Sequence, residues 1–100
     1  MRSCGRDIDY ATMQRMIREN SSIVVIDVRT RDEFYGKRIP GAINIPLQDI
    51  SEKIGNVVRD KNEVIILYCE YGGRSRKALN KLVNMGYVNV FNLDGGIEKL

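Results

Sequence analysis

The sequence predicts a single α/β domain built on an open parallel sheet, and three observations lead there. Two unbroken apolar runs, Ile23-Val24-Val25-Ile26 and Val64-Ile65-Ile66-Leu67-Tyr68, fit strands buried on both faces. Stretches with helical spacing of apolar residues alternate with these and with shorter strand-like runs, the order that makes βαβ units. No repeat, low-complexity tract or linker interrupts the 100 residues, a length that supplies one hydrophobic core and not two. One domain is therefore expected over 1–100, with residues 1–6 as a mobile N-terminal arm.

Each element has its own signal. Asp9 is placed to cap a helix running to about residue 19, with Tyr10, Met13, Met16 and Ile17 on one side. The first apolar run ends at Asp27, and Thr30 with Glu33 has capping-box spacing for a short helix. Pro40-Gly41 marks a turn, and Ala42 to Ile45 reads as a short strand before Pro46. A helix is expected within 49–59 around Ile50, Ile54, Val57 and Val58, broken or weakened at Gly55-Asn56. After the second apolar strand, residues 75–84 set Ala78, Leu79, Leu82 and Val83 on one helical face, and Gly86 is the expected C′ stop. Val88 to Phe91 gives a last strand, and Asp94-Gly95-Gly96 turns into a truncated final helix.

Composition narrows the function. With 43% hydrophobic and 29% charged residues the chain is globular rather than disordered. The net charge of +3 is spread without a basic block or aromatic-basic interleaving, which argues against nucleic acid as a partner. The apolar runs are too short for a bilayer, and the start Met1-Arg2-Ser3-Cys4-Gly5-Arg6 has no apolar signal core, so a cytoplasmic protein without membrane contact is expected. Two cysteines far apart read as thiols in a reducing compartment, with no redox role expected for Cys4. The chain has no histidine. That excludes Cys-His and Ser-His-Asp chemistry and removes most ligands of a zinc site, so neither metal nor cofactor is expected.

In open parallel sheets ligands bind outside the carboxyl ends of the strands. Asp27, the segment beginning at Cys69, and Asp94 fall on that edge. The informative stretch is Cys69-Glu70-Tyr71-Gly72-Gly73-Arg74-Ser75, between a buried strand and a helix. A lone cysteine after a strand is ordinarily inert packing. Here Gly72 and Gly73 allow backbone conformations that turn amides inward, and the next helix adds unsatisfied donors and the positive end of its dipole. Arg74 completes an anion cradle. Such surroundings take a thiol from about 8.5 to roughly 3.5–7.5, giving a thiolate without an imidazole base. The same donors suit an anionic persulfide, so the expected chemistry is ping-pong sulfur transfer through Cys69. A cysteine phosphatase needs one more residue between cysteine and arginine than the four found here, and Ser75 stands at that position.

The chain resembles the rhodanese-like domain family over nearly its whole length. Val25-Ile26-Asp27-Val28-Arg29 with Glu33-Phe34 is similar to a first signature, and Arg38 to Pro46 to a second. Cys69 to Ser75 matches the active-site loop, and Leu93-Asp94-Gly95-Gly96-Ile97 the closing motif. The resemblance implies a five-stranded parallel sheet of order 1-5-4-2-3 with helices on both faces. It implies transfer of a sulfane sulfur from thiosulfate, or from a protein or small-molecule persulfide, to cyanide or a thiol. It also puts Asp27 beneath the loop as support for the active site.

The remaining motifs have plainer readings. Arg29 and Glu33 are expected to form a structural ion pair, with the Thr30 capping box as the other use of Glu33. Pro40-Gly41 and Gly95-Gly96 read as turns. The chain departs from the family at Arg38, where histidine is frequent, and at Leu100, where the motif usually runs on to tryptophan. Glu70 follows the nucleophile directly. It is expected to offset Arg74 and repel dianionic thiosulfate, favouring a persulfide donor. A sulfur carrier that serves one partner with little small-molecule turnover shares every one of these residues. A non-catalytic interaction domain is argued against by the intact loop.

Overall fold

The computed structural model describes residues 6–100; Cys4 and residues 1–5 of the expected arm lie outside them. Arg6 donates from Nη1 to Val88 O at 2.7 Å.

Five strands form one parallel sheet in the order β1-β5-β4-β2-β3: β1 Asp7–Ile8, β2 Val24–Asp27, β3 Ile43–Asn44, β4 Ile65–Tyr68 and β5 Val90–Leu93. The residue pattern marks four of these. The fifth, β1, is two residues long, too short for any periodicity, and exists because Asp7 and Ile8 pair with Asn92 and Leu93. β5 also begins two residues later than Val88, since Val88 N is taken by Lys61 O outside the sheet.

β4 lies between β2 and β5, and all four of its residues are buried. Its alternate side chains serve two cores. Ile65 and Leu67 join Ile26, Ile54, Leu79 and Leu82 under α3 (Ile50–Val57) and α4 (Gly73–Asn84). Ile66 and Tyr68 join Val25, Leu93 and Met13 of α1 (Tyr10–Glu19) on the opposite face. Burial on both faces is why β2 and β4 read as unbroken apolar runs.

The caps follow the sequence. Asp9 accepts from Thr12 N at 2.8 Å, and Thr30 with Glu33 closes a full capping box on α2 (Arg31–Gly36). Gly86, at φ +101°, ends α4 in a Schellman motif, with Gly86 N on Val83 O and Tyr87 N on Leu82 O. The expected break in α3 is absent. The helix runs through Gly55 and Asn56 because Ile50 and Ile54, both fully buried, hold it to the core and outweigh the poor propensity. Two 3-10 turns, Leu47–Asp49 and Ile97–Lys99, complete the fold. Among the described residues no helix is long and apolar enough to cross a membrane.

Candidate active site

Cys69 continues directly from β4 and is 1% exposed. Its sulfur is met by two amide donors and one hydroxyl from the next six residues. Gly72 N lies 3.1 Å from Sγ, Ser75 N 3.3 Å, and Ser75 Oγ 3.4 Å. Gly72 makes this possible. It sits at φ +113°, a left-handed conformation that a side chain would strain, and turns the chain so that α4 starts one residue later. Ser75 N is then a first-turn amide, which has no partner within the helix and is directed to the sulfur instead. Burial pushes the Cys69 thiol up. The hydrogen bond with the Ser75 hydroxyl and those from the amides of Ser75, Gly72 and Tyr71 outweigh it, leaving the thiol below its ordinary value.

The loop is also held from behind. Ile97 N donates to Cys69 O and Glu98 N to Glu70 O, both at 2.9 Å. The last turn reaches those carbonyls because Gly95 and Gly96 take φ of +79° and +66°, and a Cβ on Gly96 would overlap the backbone of Cys69 and Glu70. The closing motif is thus more than a turn: it occupies the carbonyls of the loop whose amides serve the sulfur.

The charged residues pair differently from expectation. Arg29 does not meet Glu33. Its Nη2 is 2.7 Å from Asp27 Oδ2, its Nη1 3.2 Å from Glu70 Oε1, and it donates to Lys37 O as well. Arg29 and Asp27 are almost wholly buried, so one guanidinium answers a buried carboxylate and ties the end of β2 to the cysteine loop. Burial works against the charge on Arg29, but the Asp27 carboxylate more than restores it and raises its pKa above the ordinary value. Glu33 keeps the capping box and also grips Arg74. Glu70 accordingly offsets Arg29 rather than Arg74. Arg29 is held locally, its Nε–H donating to both oxygens of Asp27, two residues away, at 3.1 Å, whereas the fold brings Glu33 to Arg74 from 41 positions away.

Of the other loop residues, Tyr71 is 71% exposed and Gly73 opens α4 at the surface. Tyr68, below the loop, accepts from Ile39 N at 3.0 Å and fixes the 37–39 segment; its burial lifts its hydroxyl to about 12. Sequence reasoning passed over Asn92. An amide inside the apolar run of β5 was the available signal: Asn92 is 1% exposed and bonded to Ser75. The docking of Ile97 and Glu98 on the loop had no sequence signal, since it is made by backbone amides.

The description "Rhodanese-like domain" fits residues 9–100. The chain is 41% identical over 70 residues to the thiosulfate sulfurtransferase PspE of Escherichia coli, which is 70% of this chain and 67% of that protein. It is 30% identical over 91 residues to a sulfurtransferase of Allochromatium vinosum, covering 91% and 83% of the two. A solved rhodanese with anions from E. coli superposes with a TM-score of 0.72 at 37% identity, over 78% of this chain and 91% of that one.

Proposed function

The chain belongs to the rhodanese-like domain family, and on that premise we propose that it is a sulfurtransferase that carries a sulfane sulfur as a persulfide on Cys69. The observation that carries this reading is the set of contacts on Sγ, two amides and a hydroxyl within 3.4 Å. Donors fixed in a nearly water-free pocket stabilise a sulfur anion before any substrate arrives.

The transfer has two steps. The Cys69 thiolate attacks the outer sulfur of thiosulfate; a new S–S bond forms to Cys69, the old one breaks, and sulfite leaves with its electron pair. A persulfide donor reacts in the same way and leaves as a thiolate. The acceptor, cyanide or a thiolate, then attacks the outer sulfur of Cys69–S–S⁻ and departs as thiocyanate or a new persulfide, returning the Cys69 thiolate. In this reading the amides of residues 70–75 receive the anionic sulfur, and Arg74 meets the charged end of the donor. Asp27 and Arg29 support the loop through Glu70. The free Cys69 thiol suits a reducing compartment, the cytosol.

Intact mass after incubation with thiosulfate and, separately, a small-molecule persulfide tests the reading. A gain of one sulfur atom, removed by cyanide and absent from Cys69→Ser, supports it. No gain from either donor overturns it. Loading without steady turnover on cyanide identifies a sulfur carrier, in which the same persulfide goes to a dedicated partner.

A further inference from the structure

Asn92 lies between α4 and β1. Its Nδ2 donates to Asp7 Oδ1 at 3.1 Å, and its Oδ1 accepts from Ser75 Oγ. The other oxygen of Asp7 is paired with Arg76 of α4. This chain of bonds has a direction. An ionised carboxylate only accepts, so Asn92 turns its NH2 to Asp7 and is left with a carbonyl oxygen facing Ser75. A serine hydroxyl has one proton, and three acceptors lie within its reach: Asn92 Oδ1, Gly72 O at 3.1 Å and Cys69 Sγ at 3.4 Å. Asn92 is the nearest of them. With the proton directed there, Ser75 Oγ offers lone pairs to the sulfur and accepts the thiol S–H. For Ser75 to donate to a thiolate instead, its proton must leave the carbonyl of Asn92, which at 1% exposed is shielded from bulk solvent.

We propose that Asp7 and Asn92 are positioning residues for the reaction at Cys69, drawing the Ser75 proton away from the sulfur and so restraining its ionisation in the resting protein. The inference rests on Cys69 being the reacting sulfur, but alkylation of the resting thiol tests it without any turnover. Neither residue touches the sulfur; both act through Ser75.

Charged groups lie on the elements that flank Cys69. Arg74 and Arg76 lie on α4, Glu70 is in the loop, Asp27 and Arg29 end β2, and Asp7 is on β1. Asp94, Glu98 and Lys99 follow β5. Replacing Asp7 therefore changes the local field as well as the hydrogen-bond chain, and the test must separate the two.

The test is the pH dependence of iodoacetamide alkylation, followed by mass on the Cys69 peptide, in Asn92→Ala, Asp7→Ala, Ser75→Ala and the two doubles with Ser75→Ala. Asn92→Ala and Asp7→Ala should each lower the midpoint by about half a pH unit, a roughly threefold gain in rate below it. Ser75→Ala should raise it, and each double should match Ser75→Ala alone. An unchanged or raised midpoint in Asp7→Ala, at an exposed position, overturns the proposal. So does a shift that survives in the Ser75→Ala background, because a field effect of Asp7 or a packing effect of Asn92 does not need the hydroxyl.

Discussion

Glu33 holds Arg74 with both carboxylate oxygens, Oε1 at 2.8 Å from Nη1 and Oε2 at 3.0 Å from Nη2. The same Oε1 accepts from Thr30 N at 2.9 Å. The residue that closes the α2 capping box thus orients the guanidinium at the end of the cysteine loop, and one carboxylate serves both helices.

That double use makes stability depend on pH. The Arg74 guanidinium, first among the causes, brings the Glu33 carboxyl down to about 2 from its ordinary 4.5. A lowered carboxyl contributes stability above its unfolded value, and the contribution fades as pH falls from 4.5 through about 2. Glu33 is about a third exposed, so screening keeps the pair to about 0.5–1 kcal/mol. Glu33→Gln retains an oxygen for the cap. It should unfold at lower urea than wild type at pH 7, with the gap narrowing toward pH 2. Equal midpoints at pH 7 would show that the pair adds nothing.

Glu70 sets a second expectation, for the donor. Its charge is shared with Arg29, which Asp27 already answers, so the cluster of three keeps a net negative charge beside the sulfur. One charge acting on a dianion at about 8 Å across water, with a dielectric of about 80, is worth about 1 kcal/mol. Glu70→Gln should therefore lower KM for dianionic thiosulfate roughly fivefold and for a singly charged persulfide donor only about twofold. Steady-state kinetics with both donors reads this, and equal changes would sink the charge argument.

Gly96→Ala should disable the loop from its back. The added methyl falls on the carbonyls of Cys69 and Glu70, and the positive φ adds strain. A loss of about 2–3 kcal/mol is expected, with sulfur loading slowed well beyond tenfold. Gly41→Ala is the control: it has positive φ too but open space around it, so it should cost about 1–2 kcal/mol and load normally. Similar loading rates for the two variants would refute the role of the backing contact.

Gly55 points the other way. It lies inside α3 with nothing within 4 Å of an added Cβ. Gly55→Ala should stabilise the fold by about 0.5–1 kcal/mol, seen as a higher Tm with unchanged sulfur loading.

How far the sequence could be read follows from the range of each interaction. Caps, apolar runs and the Cys69 loop are local patterns, and Asp9, Thr30, Gly86 and Gly72 stand where their neighbours foretold. β1 escaped because two residues carry no period. α3 escaped because burial of Ile50 and Ile54 overrides Gly55. The ion pairs escaped for a different reason: Arg29, Glu33, Glu70 and Arg74 allow several pairings, and only the fold brings Glu33 to Arg74 across 41 positions of sequence.

The position of Cys69 at the end of β4 has a consequence for hydrogen exchange. β4 is paired on both edges and buried on both faces, so its amides should be among the last to exchange. The sulfur is tethered to that slow unit, whereas Gly72, Tyr71 and Gly73 belong to a surface turn that opens more readily. When the turn opens, the sulfur stays where it is and loses the Gly72 amide, keeping only its Ser75 partners on α4. An excursion of the loop therefore makes Cys69 a poorer anion without moving it, and the reactive state persists only while the turn is closed.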